Sequence, residues 1–133
     1  MTGETDLATL IASMEPRLDP VTYAWASVDG LAAAAALVDA VATVREDEGL
    51  TLVLPLDAAV SHGLEPEFPC RRITLTVHSS LEAVGLTAAF ARALGDAGIS
   101  ANVVAGFHHD HLFVPVDKAA DAMVALRELA ASV

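Results

Sequence analysis

Cysteine is almost absent from this chain, which has Cys70 alone among 133 residues. One cysteine cannot form an intramolecular disulfide, so a reducing compartment such as the cytoplasm is expected. No apolar run is longer than residues 30–38, far short of the roughly 20 residues of a membrane-spanning helix. The first residues, MTGETDLATL, lack the basic start and apolar core of a secretory signal peptide. The sequence therefore predicts a cytoplasmic protein that has no membrane partner.

Basic residues are also scarce: 7 Lys and Arg stand against 18 Asp and Glu, which gives a formal net charge of −11. A phosphate backbone would be repelled by this charge, and no basic stripe opposes the repulsion. We therefore expect no nucleic-acid partner. The chain contains no Walker phosphate loop, no Gly-x-Ser-x-Gly elbow and no paired-cysteine zinc motif. Neither a cofactor nor a catalytic residue is predicted.

Strand and helix patterns alternate along the chain. Period-two alternation predicts strands at residues 22–28, 41–46, 50–55, 72–77, 100–107 and 111–114. Helical spacing predicts helices at residues 6–14, 57–62 and 83–97, and a last one that begins at residue 117. Asp57 and Asp117 are expected to cap the helices that they precede. Residues 31–40 remain open, because their alanines favour a helix but bring little apolar surface to anchor one.

A short internal repeat marks two similar halves. Leu-Pro-Leu-Asp-Ala-Ala at residues 54–59 parallels Val-Pro-Val-Asp-Lys-Ala at residues 114–119, and both follow a predicted hairpin. The element order is then βαββα twice, which is typical of ferredoxin-like modules. We predict an α+β fold of two such units packed together, because one alone buries little surface. The predicted division is residues 1–66 and 67–133.

The turn at residues 79–86 carries the most chemical content. Ser79 and Glu82 have capping-box spacing, and the free N–H groups of a helix start can also receive a carboxylate. Gly85 either lets a ligand approach closely or serves helix packing, since it has no Cβ. Asn102, on the next predicted strand, offers a donor and an acceptor, or it simply faces solvent.

These residues carry a resemblance to a known family. Ser-Ser-Leu-Glu-Ala-Val-Gly-Leu at 79–86, followed by Ala-Gly-Ile-Ser-Ala-Asn-Val-Val at 97–104, resembles the ACT domain. That domain is the small regulatory module of aspartate kinases and other amino-acid enzymes. Together with Thr-Gly-Glu-Thr-Asp-Leu at 2–7 and His-Asp-His-Leu-Phe-Val-Pro-Val at 109–116, the pattern looks like stand-alone bacterial tandem-ACT proteins.

The resemblance implies paired βαββαβ units that bind an amino acid between ACT units. In such domains the ligand meets the turn before the first helix and the neighbouring strand, which by position are residues 79–86 and 102–106 here. The ligand-binding residues expected on this basis are Ser79, Glu82, Val84, Gly85, Leu86, Asn102, Val103 and Val104. The ligand carboxylate would rest on the backbone of residues 84–86. The predicted protein is a non-catalytic regulatory sensor of a small amino acid.

A homodimer is also expected, from exposed sheet faces and from Tyr23 and Trp25 on one strand. Two alternative functions stay open. One is a metal-dependent enzyme that uses His-His-Asp-His at 108–111, because imidazole and carboxylate are zinc ligands. The other is an interaction module that binds no ligand. Cys70 is a minor candidate nucleophile, its pKa lowered by the adjacent Arg71 and Arg72.

Overall fold

The computed structural model describes residues 6–76 and 85–133 and divides them into two compact units. The first unit contains residues 6–19, 71–76 and 85–133, and the second is Pro20–Cys70. Among the described residues, no helix has the length and apolar character needed to span a membrane. Ser79, Glu82 and Val84 lie outside the described residues.

The predicted order of elements is present. Along the chain lie α1 (Leu7–Ser13), β1 (Pro16–Val28), α2 (Gly30–Leu37), β2 (Ala42–Glu46), β3 (Gly49–Pro55), α3 (Leu56–Ser61), β4 (Glu67–Leu75), α4 (Leu86–Asp96), β5 (Asn102–Ala105), β6 (Asp110–Pro115), a 3-10 turn (Val116–Lys118) and α5 (Ala119–Ala131). From β1 onward this is strand-helix-strand-strand-helix twice, so the predicted α+β fold of tandem ferredoxin-like units is confirmed.

The six strands are paired in the order β2-β3-β1-β4-β6-β5. Strands β1 and β4 each have residues in both compact units. The compact units thus differ from the ranges 1–66 and 67–133, because α1 and the start of β1 belong with the second half of the chain. The division at residue 66 remains a prediction about the sequence repeat.

The first unit has the larger hydrophobic core. Helix α4 contributes Leu86, Phe90 and Leu94, which lie at helical spacing on one face, and all three are buried. Helices α1 and α5 pack with α4 over the inner faces of β4 and β6. Asp6 is the N-cap of helix α1, and its carboxylate accepts a 3.0 Å hydrogen bond from the Thr9 N–H.

The core of the second unit is small. Its buried cluster consists of Ala26, Val28, Ala36, Leu52, Leu54 and Ala59. Residues 31–40, whose structure the sequence left open, contain most of helix α2. Among the described side chains of that helix, the one buried in the core is Ala36. Because alanine brings little apolar surface, α2 contributes less burial energy than α4 does in the first unit.

The repeated prolines occupy the same structural position. Pro55 ends β3 with φ −55° and ψ 137°, and Pro115 ends β6 with φ −53° and ψ 143°. A helical turn follows each proline directly, which leaves no position for an aspartate cap. The predicted caps at Asp57 and Asp117 are therefore wrong: both acids lie in the first helical turn, where the helix dipole favours negative charge.

Two strands are longer than predicted, and the additional part of each contains proline. Strand β1 begins at Pro16 rather than at residue 22, and β4 begins at Glu67 rather than at residue 72. In β4 the chain passes Pro69 next to Phe68, which has a φ of +55°. Proline is tolerated at strand starts and irregularities, so its presence does not exclude a strand.

Candidate functional site

Gly85 sits where helix α4 begins. It is the N-cap residue, in a left-handed conformation with φ +95° and ψ −16°, and as a glycine it has no side chain to cap the helix. The Gly85 carbonyl accepts the first helical hydrogen bond, 2.9 Å from the Ala89 nitrogen. The amides of the first turn therefore lack intrahelical acceptors, as at any helix start. Helix α4 begins at Leu86 rather than at the predicted residue 83.

Packing against α1 occupies the open side of Gly85. A Cβ built on this glycine would lie 3.0 Å from Cδ2 of Leu7 and 3.6 Å from its Cδ1. Leu86 is 3% exposed, and its side chain belongs to the hydrophobic core. The helix-packing interpretation of Gly85 therefore applies on this side, and any ligand would meet its backbone from another direction.

Strand β5 presents its predicted site residues on two faces. Asn102 is exposed and pairs with Phe113, and Val104 pairs with His111. Val103 lies between them in the alternation, and its side chain packs against the hydrophobic core. Val103 is therefore a core residue, and only Asn102 and Val104 point to the opposite face. All five described residues of the predicted site, the two at α4 and the three in β5, belong to the first unit.

The histidine turn joins β5 to β6. It is closed by a 2.8 Å hydrogen bond that the Gly106 N–H donates to the His109 carbonyl. A Cβ at Gly106 would lie 2.9 Å from that carbonyl and 3.2 Å from Nε2 of His111, so the turn needs glycine. His111 turns toward β4, where its Nδ1 lies 2.9 Å from the Thr74 hydroxyl. These contacts explain His111 as part of the sheet packing.

Burial shifts the pKa of two groups in this turn. It lowers the pKa of His111, and electrostatic interactions with Arg72 and His109 lower it further. Burial also raises the pKa of Asp110, an effect that the nearby His109 partly offsets. In residues 6–76 and 85–133, no three His, Cys, Asp or Glu side chains are grouped so that they could hold a metal ion. The described residues give the metal-enzyme alternative no support.

Cys70 is a buried thiol. It is 0% exposed, and its Sγ lies 3.5 Å from the Tyr23 carbonyl oxygen. Burial raises the pKa of Cys70 to about 12. This is opposite to the lowered pKa that the adjacent Arg71 and Arg72 suggested. Arg72 instead donates a 3.0 Å hydrogen bond to the Asp19 carboxylate. At neutral pH the Cys70 thiolate is therefore scarce, which argues against a nucleophilic role.

Three surface cavities are lined by residues other than Gly85, Leu86 and the predicted site residues of β5. The second unit has one of about 710 Å³, lined by Val21, Thr22, Leu56, Asp57, Val60 and Ser61. It also has one of about 140 Å³, lined by Trp25, Ala26, Ser27, Thr51 and Glu67. The first unit has one of about 280 Å³, lined by Met14, Glu15, Pro16, Arg127 and Ala130. No sequence pattern indicated the last cavity, because its walls come from opposite ends of the chain.

Models of known protein families match the two halves of the chain in turn. One model of the ACT domain matches residues 2–71, and a second model of the ACT domain matches residues 67–128. A search of curated protein sequences gives no significant match.

Solved structures resemble the whole chain. A Vibrio cholerae protein of unknown function, described as a possible transport protein, is 50% identical with a TM-score of 0.84, over 93% of this chain and 95% of that one. An Agrobacterium tumefaciens protein is 18% identical with a TM-score of 0.71, over 88% and 89% of the two chains. The ligand-free regulatory subunit of aspartate kinase from Thermus thermophilus is 13% identical with a TM-score of 0.65, over 86% and 95%. The last two likenesses concern the fold.

Proposed function

Because this chain belongs to the ACT-domain family, we propose that it is a non-catalytic regulatory module that binds a small amino acid. The observation that carries the proposal is the tandem match of two ACT-domain models, over residues 2–71 and 67–128. The regulatory subunit of aspartate kinase from Thermus thermophilus has the same fold over most of its length, which supports a regulatory role. A cytoplasmic location is part of the proposal, supported by the single buried thiol.

The proposed ligand site is the helix start at Gly85 and Leu86, together with Ser79, Glu82 and Val84 before it and the exposed edge of β5. Support comes from the described part. First-turn amides of α4 lack intrahelical acceptors, and amides at such a position attract a carboxylate. On β5, Asn102 is exposed and its amide can meet the ligand's ammonium or carboxylate group. Val103 has a supporting role in the core beneath the strand.

Amino-acid binding should raise the melting temperature of the protein. A ligand at 100 times its dissociation constant stabilises the folded state by about 2.7 kcal/mol, which corresponds to several degrees for a domain of this size. We expect at least one of the twenty amino acids, screened at millimolar concentration by thermal shift, to produce such a rise. Asn102→Ala should reduce the rise, and the matched control Ser100→Ala, just before the strand, should leave it intact.

The result has a clear contrary outcome. If no amino acid shifts the melting temperature, the sensor proposal fails, and an interaction module without a ligand becomes the better explanation of the fold. If Ser100→Ala and Asn102→Ala reduce the shift equally, strand β5 does not provide the specific contact.

We also propose that the protein forms a homodimer, although its surface differs from the one that the sequence suggested. Tyr23 is 4% exposed, and the Trp25 ring packs edge-to-face on Phe68 at 5.7 Å, so these aromatics are largely used within the second unit. Support comes instead from helix α2 and the residue after it, where Leu31 is 91% and Val38 is 85% exposed. Residues 30–38 carry no charge between the flanking Asp29 and Asp39, which makes them an uncharged apolar patch on an acidic surface.

Sedimentation equilibrium should therefore give twice the mass of the chain. Val38→Glu should shift the protein toward the monomer, because it places charge in the uncharged patch. Val124→Glu is the matched control: Val124 is 52% exposed on α5, outside the patch. A monomeric parent protein, or equal dissociation by the two substitutions, would contradict the proposed surface.

A further inference from the structure

We propose that the cavity of about 280 Å³ in the first unit is a second binding site, which takes a free α-amino acid with a short apolar side chain. Its walls are Met14, Glu15, Pro16, Arg127 and Ala130. Its lining includes neither Gly85 nor Leu86 nor any residue of strand β5, and it lies within a single unit.

The charges of the cavity match those of an amino-acid zwitterion. Glu15 and Arg127 bring one negative and one positive group to the same cavity. The ion pairs among the described residues join His62 to Asp39 and Arg72 to Asp19, so neither Glu15 nor Arg127 is neutralised by one. A carboxylate is a good acceptor for the guanidinium fork, and an ammonium group can donate to a glutamate. Both charged walls of the cavity thus remain available to a ligand.

The remaining walls restrict what the cavity can hold. Met14 is 3% exposed, and Pro16 and Ala130 are half-buried, so the uncharged part of the lining is apolar and offers little room. A volume of about 280 Å³ lies just below the range of about 300–1,000 Å³ that is typical of drug-sized and cofactor ligands. A short aliphatic side chain fits this combination, and a nucleotide does not.

The backbone beside the cavity is held in place. The Glu15 carbonyl accepts two hydrogen bonds from Thr76, one of 2.9 Å from its N–H and one of 2.8 Å from its hydroxyl. Helix α1 ends immediately before Glu15 and packs against α5, which carries Arg127. Because these elements are fixed before any ligand arrives, binding does not have to order them.

The site can be located by NMR titration of the full chain. L-alanine and L-valine are the probes, added to protein labelled with nitrogen-15. We expect saturable shifts of the amide signals of Glu15 and of residues 127–130. If these signals do not move while those of Gly85 and Asn102 do, the cavity proposal is overturned and the turn site stands. If only the cavity signals move, the cavity proposal stands, and the turn site is judged by the thermal-shift screen of all twenty amino acids. If neither set moves, the cavity proposal is overturned.

Analogues identify which wall binds which group. Alaninamide lacks the carboxylate, and N-acetyl-alanine lacks the ammonium charge. We expect each to bind about tenfold more weakly than L-alanine, the order of one charged hydrogen bond. In Arg127→Gln the preference for L-alanine over alaninamide should disappear, and in Glu15→Gln the preference over N-acetyl-alanine should disappear.

Two controls separate a contact from a general charge effect. Glu128→Gln lies beside Arg127 on α5, and Arg92→Gln removes an exposed cation from α4. Both should keep the affinity of the parent protein. Equal weakening by the control and cavity substitutions would overturn the assignment of Glu15 and Arg127 as ligand contacts.

Discussion

Replacement of Phe90 by alanine is expected to lower the free energy of unfolding by about 3–5 kcal/mol. Phe90 is 0% exposed in the middle of α4, between Leu86 and Leu94, in the core of the first unit. The alanine would lose the transfer energy of the ring and leave a cavity that the surrounding helices fill only in part. Urea unfolding followed by circular dichroism measures this loss.

Arg92→Ala is the matched control on the same helix, because Arg92 is exposed. We expect it to change the free energy of unfolding by less than about 0.5 kcal/mol. A small domain has only about 5–15 kcal/mol of stability, so the loss at Phe90 would be a large share of the total. A loss under about 1 kcal/mol for Phe90→Ala would contradict the described packing of α4.

The Phe90 substitution also bears on the proposed function. Helix α4 positions Gly85 and Leu86 at its first turn, and Leu86 belongs to the same core as Phe90. If the amides of that turn bind a carboxylate, loosening the helix should reduce amino-acid stabilisation as well as baseline stability. The thermal shift of each variant is therefore compared with its own ligand-free melting temperature.

Local patterns were enough to predict the order of elements and the helix that carries a large part of the first unit's core. The stripe of Leu86, Phe90 and Leu94 is apolar at helical spacing, and burial of such a stripe against one core follows directly. The repeat with Pro55 and Pro115 predicted equivalent positions, and the two prolines have nearly the same backbone angles. In these places local preference and tertiary packing agree.

Long-range pairing could not be predicted in the same way. Strands β1 and β4 lie side by side, and each contributes residues to both compact units. Their extra length includes Pro16, Pro20 and Pro69, which local rules count against a strand. Pairing with a distant strand outweighs that local preference. A pattern read from a few neighbouring residues contains no information about which distant strand will pair with them.

For the candidate sites, too, the sequence identifies single residues, and the tertiary fold decides what surrounds them. The sequence singled out Gly85 but left open whether it serves a ligand or packing, because the presence of Leu7 beside it depends on the tertiary fold. The cavity between Glu15 and Arg127 gave no signal at all. Glu15 and Arg127 are far apart in the sequence, and only the fold brings them to the same cavity.

The two glycines of α4 should respond in opposite ways to the same change. Gly85→Ala is expected to destabilise the protein by about 1–3 kcal/mol, because an L-residue at φ +95° is strained. Its methyl group would also meet Leu7 at 3.0 Å. Gly95→Ala should instead stabilise the protein by about 0.5–1 kcal/mol. Gly95 lies within the helix, nothing lies within 4 Å of its added Cβ, and alanine is the better helix former.

The contribution of Leu7 can be separated from the backbone strain. If the contact matters, Leu7→Ala combined with Gly85→Ala will cost less than the sum of the single substitutions. Strain from the positive φ would remain in the double variant, since it does not depend on the neighbour. A Gly85→Ala variant with an unchanged or higher free energy of unfolding would contradict the left-handed helix start, and with it the geometry on which the proposed carboxylate site rests.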